Sequence, residues 1–97
     1  MAEKTIERIR PDLYEDEVTD RLSEYIVIVF DNPVNTWEEV IAVLQKATGC
    51  PLEEAEMETW EVHHLGKSIV HHGSREECER AAAVIRTIGI RVEVQAV

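Results

Sequence analysis

The sequence predicts an α+β fold with the order β-α-α-β-α-β, a small three-stranded antiparallel sheet with three helices packed on one face. Three observations carry that expectation. Tyr25–Phe30 (YIVIVF) is an unbroken β-branched and aromatic run. Asn35 and Ser74 each stand at a helix-start signal ahead of apolar residues at helical spacing. Arg91–Val97 (RVEVQAV) alternates as a strand with one buried face does.

The elements follow in order. Residues 1–23 mix many charges with Ile6, Ile9, Leu13, Val18 and Leu22, which keep no sustained period, and Pro11 interrupts any helix. They read as a flexible N-terminal tail before a core domain over 24–97, an amphipathic docking helix being the alternative. Tyr25–Phe30 suits a strand flanked on both edges, ended by Asp31-Asn32-Pro33 because proline cannot donate to a ladder. Asn35 with Glu38 predicts an N-cap and its reciprocal partner. Trp37, Val40, Ile41, Leu44 and Ala47 continue that helix, and Gly49 suits a left-handed stop.

Pro51 fits the first turn of a second helix reaching about His63, with Leu52, Ala55, Thr59 and Val62 on one face. Met57 and Trp60 lie on another face, and Glu53, Glu54 and Glu58 are expected to point outward. Leu65-Gly66-Lys67 reads as a turn and Ser68–His72 as a short strand. Ser74 and Glu77 form a capping box for a helix bearing Cys78, Ala81, Ala82, Ile85 and Ile88, which Gly89 ends.

Bulk properties narrow the function. Ninety-seven residues hold one domain with a modest core, and a formal charge of −10 disfavours nucleic acid and anionic membrane surfaces. No apolar run approaches the ~20 residues of a membrane span, and no signal peptide is visible at the N-terminus. Cys50 and Cys78 lack metal-type spacing and read as reduced thiols of a cytoplasmic protein, a disulfide being the less favoured alternative.

The four histidines are the first candidates for chemistry. His71 and His72 are neighbours on a predicted strand and so point to opposite faces, which prevents joint ligation. No Cys-x-x-Cys or paired helical histidines occur, so no metal and no cofactor are expected. Neither a nucleophile signature nor a phosphate-cradling glycine loop is present, and nothing argues for an enzyme. His63 differs from its neighbours: it closes an apolar helix stripe, beside a glycine and within reach of the polar turn at Asp31 and Asn32. A hydrogen-bonded core histidine is the plainer reading of that placement.

Val27–Lys46 (VIVFDNPVNTWEEVIAVLQK) resembles the first strand, loop and helix of the ClpS adaptors, its DNPVN segment being most like the actinobacterial type. Val62–Lys67 (VHHLGK) is similar to the family's Val-His-x-x-Gly-Lys segment, and Ser74–Glu76 to the start of its third helix. The resemblance runs in unbroken order over about 25–97. It implies a monomeric, non-enzymatic adaptor that binds proteins by a destabilising N-terminal residue, usually Leu, Phe, Tyr or Trp. Delivery would be to a Clp-type AAA+ ATPase, whose N-terminal domain is the implied partner.

By position, the resemblance places Asp31, Asn32 and His63 around the substrate α-amino group. It places Asn35, Trp37, Thr59 and Val62 at the side-chain pocket, and Glu76, His64 and Lys67 on the ATPase-docking surface. Glu76 alone is also explained by the helix dipole. The chain departs from the family where Asp31-Asn32-Pro33 replaces Asn-Asp-Asp, and where Trp37 and Thr59 replace two pocket methionines. A rigid indole narrows what fits, and Thr59 is expected to make the wall smaller and more polar. A module that docks on the ATPase without reading amino termini is the alternative.

Overall fold

The computed structural model describes residues 24–97; the tail expected over 1–23 lies outside the described residues. Strand β1 (Tyr25–Phe30) is the middle of an antiparallel sheet of order β2-β1-β3, with β2 at Lys67–Gly73 and β3 at Val92–Ala96. A middle strand is hydrogen-bonded on both edges, which is where an uninterrupted apolar run belongs, and Val27 and Val29 are wholly buried. In β2 the pairing jumps from Val27–His71 to Ile28–Ile69, so Val70 is the extra residue of a bulge. Past that bulge His71 is half-buried and lines a hollow with Glu77, Arg80 and Ala81, while His72 is exposed.

Helices α1 (Trp37–Thr48), α2 (Leu52–Leu65) and α3 (Arg75–Arg86) cover the sheet. α3 lies against all three strands, α2 against β2, and α1 packs onto α2 and α3. The core joins Val27 and Val29 to Val40, Leu44, Ala55, Val62, Cys78, Ala82 and Ile85 from the three helices. Both cysteines are free thiols, Cys50 half-buried and Cys78 buried. Burial raises the Cys78 pKa, with the nearby Glu77 and Glu79 charges acting the same way.

Several boundaries differ from the sequence expectation, each for a local reason. The cap of α1 is Thr36 with Glu39, in a complete capping box, rather than Asn35 with Glu38. Asn32 Oδ1 accepts from the backbone N–H groups of Val34 and Asn35, so the turn takes one more residue before the helix starts. Pro51 is the N-cap of α2, in extended conformation at φ −68° and ψ 162°, and Leu52 beside it is exposed. α2 runs to Leu65, and Gly66 ends it at φ 93° and hands the chain straight to β2 at Lys67, without an intervening turn. Ile88 lies beyond α3, and Glu58, expected outward, is buried.

Candidate functional site

The β1–α1 loop and the end of α2 meet at one corner of the fold. The Asp31 backbone N–H donates to the Gly66 carbonyl at 2.9 Å, continuing the pairing of Phe30 with Lys67. The loop's own shape is fixed by asparagines. Asn32 Oδ1 accepts two backbone N–H groups, its Nδ2 donates to Asn35 Oδ1 at 2.8 Å, and Asn35 Nδ2 donates to the Ile88 carbonyl at 2.8 Å. Asn35 Nδ2 also reaches Glu39 Oε1 at 3.1 Å. The Thr36 backbone N–H and Asn35 amide hold the Glu39 carboxyl below its usual range. Both lone pairs of the Asn32 amide oxygen are thus engaged within the loop, whereas Asp31 is exposed and no described side chain bonds its carboxylate.

His63 stands on α2 against Trp37, the first residue of α1. Its Nδ1 lies 3.0 Å from the Thr59 carbonyl, which can only accept, so that nitrogen carries a proton and donates. A neutral ring held this way leaves Nε2 as an acceptor. The Trp37 indole leans on the same imidazole, with ring centroids 5.7 Å apart and planes at 47°. On the same helix as His63, Thr59 and Val62 have no exposed surface, while Trp37 is 37% exposed. The Thr59 hydroxyl donates back to the Ala55 carbonyl at 2.7 Å. Thr59 is smaller than a methionine, and its hydroxyl proton is engaged within its own helix.

The three residues expected on a docking surface are not one cluster. His64 stacks on Trp60 at 4.5 Å and 15°, with its Nδ1 donating to the Trp60 carbonyl, and Lys67 lies 6.0 Å from the Phe30 ring centroid. Both belong to the corner just described. Glu76 lies beyond the opposite end of β2, paired with Arg80 at 3.3 Å on the exposed face of α3. The strand between them spans on the order of 20 Å, so a partner touching all three must be a folded domain rather than a side chain or loop tip.

Sequence reasoning missed one constellation. Cys50, Glu54 and Glu58 bring a thiol and two carboxylates within 4.8 Å of one another. The four-residue spacing on either side of Glu54 was visible, but nothing in it announced that Glu58 turns inward.

The family described as "ATP-dependent Clp protease adaptor protein ClpS" matches residues 20–93. The chain belongs to the ClpS family. It is 34% identical to the ClpS adapter of Streptomyces coelicolor over 71 residues, covering 73% of this chain and 74% of that protein. With the Mycobacterium tuberculosis ClpS adapter it shares 35% identity over 79 residues, 81% of this chain and 76% of the other. Human E3 ubiquitin-protein ligase UBR2 carries a segment 35% identical over 69 residues; this covers 71% of the chain but only 4% of that much longer protein.

Among solved structures, Agrobacterium tumefaciens ClpS2 bound to L-phenylalaninamide superposes with a TM-score of 0.73, covering 79% of this chain and all of that one, at 17% identity. ClpS proteins are adaptors of a Clp protease. The β-α-α-β-α-β order read from the sequence is that of the ClpS fold. No described helix is long and apolar enough to cross a membrane.

Proposed function

We propose that this ClpS-family chain binds proteins through a bulky hydrophobic N-terminal residue with a free α-amino group, and delivers them to a Clp-type AAA+ ATPase. The observation that carries the reading is the corner itself: the loop bearing the exposed Asp31 carboxylate is tied to Gly66 at the end of α2, and His63 three residues earlier on that helix has Nδ1 committed to Thr59, which leaves Nε2 to accept. An α-ammonium brings three donors and a positive charge, which match a carboxylate, a neutral ring nitrogen and the negative end of the α2 dipole. The two parts of the ligand, a cation and an apolar side chain, need opposite surroundings side by side.

Three assignments go with this reading. Asp31 supplies charge and His63 supplies the acceptor. Asn32 and Asn35 shape the loop rather than contact the amine, since the Asn32 oxygen is spent on Val34 and Asn35, and the Asn35 amide on Ile88 and Glu39. Trp37, tilted against His63, is assigned as the gate of the side-chain pocket, and that pocket must open on binding because Thr59 and Val62 have no exposed surface. Agrobacterium ClpS2, as its structure is described, holds a phenylalanine derivative with a free amine, which is chemistry this corner suits.

The test is a titration of peptides beginning with Leu, Phe, Tyr, Trp or Met, each against its N-acetylated twin. Free amino termini are expected to bind at least tenfold more tightly, with His63→Ala weakening binding and His71→Ala leaving it unchanged. Equal binding of free and acetylated peptides refutes the assignment. A second reading, docking on the ATPase without recognising amino termini, draws on the covered state of Thr59 and Val62. It is favoured if the ATPase N-terminal domain binds, Glu76→Lys abolishes that binding, and no peptide does.

A further inference from the structure

Glu58 is in a place a glutamate rarely occupies. It is 8% exposed, and its Oε1 is buried without a hydrogen-bond partner among the described residues. An unpaired buried carboxylate oxygen is expensive, and folds keep such groups where something else satisfies them. The carboxylate is directed at the Glu54 carboxylate one turn earlier and at the Cys50 thiol just before the helix, all within 4.8 Å. Long helical side chains tilt toward the N-terminus, so Glu58 reaches back over Glu54 to Cys50.

We propose that Cys50, Glu54 and Glu58 form a binding site for one divalent transition-metal ion of borderline softness, of the zinc class. One sulfur and two oxygens suit such an ion, and the fourth position falls to water. Calcium or magnesium would want an oxygen-only shell of six or more ligands, which one thiolate and two carboxylates do not supply. The ion satisfies the Glu58 oxygen that the protein leaves unpaired, and the surrounding charge is favourable. α2 carries Glu53, Glu54, Glu56, Glu58 and Glu61 on a chain of net charge −10, a field that concentrates cations. The backbone already holds Cys50 in place: its N–H donates to Thr48 Oγ1 at 3.2 Å and its carbonyl accepts from Gln45 Nε2 at 3.4 Å. The Cys50 thiol, and the Glu58 carboxyl where it is protonated, each give up a proton to solvent as the metal–sulfur and metal–oxygen bonds form.

The experiment uses the full-length, untagged, reduced chain after chelator treatment, titrated with Co²⁺ and then Zn²⁺. One cobalt per chain is expected, with a sulfur-to-cobalt charge-transfer absorption that one equivalent of zinc removes. Cys50→Ser should abolish the absorption, and Glu58→Gln and Glu54→Gln should each weaken zinc binding about tenfold or more. Cys78→Ser is the control that should change nothing, because Cys78 lies in the core away from the cluster. Circular dichroism of each variant separates lost ligation from lost fold. Absence of the charge-transfer band overturns the proposal. So does zinc affinity that survives both Cys50→Ser and Glu58→Gln, which would place the ion on surface imidazoles.

Discussion

Burial drives the Glu58 carboxyl pKa up to about 8, and the charges of Glu54 and Glu61 and a hydrogen bond to Glu54 push the same way. A carboxyl with a raised folded pKa binds its proton more tightly folded than unfolded. In the metal-free protein its effect is therefore nil below about pH 4. Stability then falls as pH rises from the ordinary carboxylate range through about 8. Urea melts of chelated protein at pH 5 and pH 8.5 should differ by about 2 kcal/mol, the full shift being discounted because Glu54 beside it is solvated. Glu58→Gln should flatten that difference, and an unchanged slope in the variant would place the titration elsewhere. At the proposed binding corner, Trp37→Ala should raise affinity for peptides beginning with Trp or Phe several-fold, because it removes the indole assigned as the gate beside His63; peptide fluorescence anisotropy reads this. Residues of this kind were only half legible. His63 could be singled out as the end of an apolar stripe, but the direction of its Nδ1 proton depends on the Thr59 carbonyl and is a matter of coordinates. Glu58 was misread because periodicity on an acidic helix cannot tell a solvated carboxylate from one folded back over its own N-terminus.

At the scale of elements, the capping boxes decide where helices begin. Thr36→Ala and Ser74→Ala each remove a side-chain acceptor for the backbone N–H of Glu39 or Glu77 and should cost about 1 kcal/mol by urea melting. The two should differ in function. Thr36 ends the loop that begins at Asp31, so its loss should also loosen that loop and weaken peptide binding, while Ser74→Ala should leave it intact. Gly66 holds φ at 93°, where a Cβ is strained whatever space surrounds it, so Gly66→Ala should cost about 1–2 kcal/mol and disturb the Asp31 bond to its carbonyl. All six elements and their order were readable, because apolar period and turn chemistry agree along this chain. The start of α1 was displaced by one residue for a physical reason. Asn35–Glu38 and Thr36–Glu39 both satisfy the capping pattern. The choice is made by Asn35 committing its amide to the Ile88 carbonyl, a contact between residues 53 apart that no local pattern encodes.

For the whole molecule the dominant fact is charge. Twenty acidic against ten basic side chains give −10 over the whole chain, residues 24–97 holding 13 acidic and 6 basic of them, and the described ion pairs, Arg80–Glu76 and Arg91–Glu93, lie on the surface where such pairs contribute little. Folding gathers these charges into a volume far smaller than the unfolded chain occupies, so self-repulsion opposes the native state. Salt relieves it: the screening length falls from roughly 30 Å at 0.01 M to about 8 Å at 0.15 M, from beyond the width of a small domain to well within it. Thermal melts at pH 7 should therefore rise by several degrees across that range of sodium chloride, the equivalent of about 1 kcal/mol. Glu53→Lys together with Glu56→Lys, both exposed on α2, should raise the melting temperature in low salt and shrink the salt response. A melting temperature indifferent to salt would mean that the acidic faces are already compensated by bound cations. Chelator treatment that restores the salt response would then identify the Cys50–Glu54–Glu58 cluster as the place where one of those cations sits.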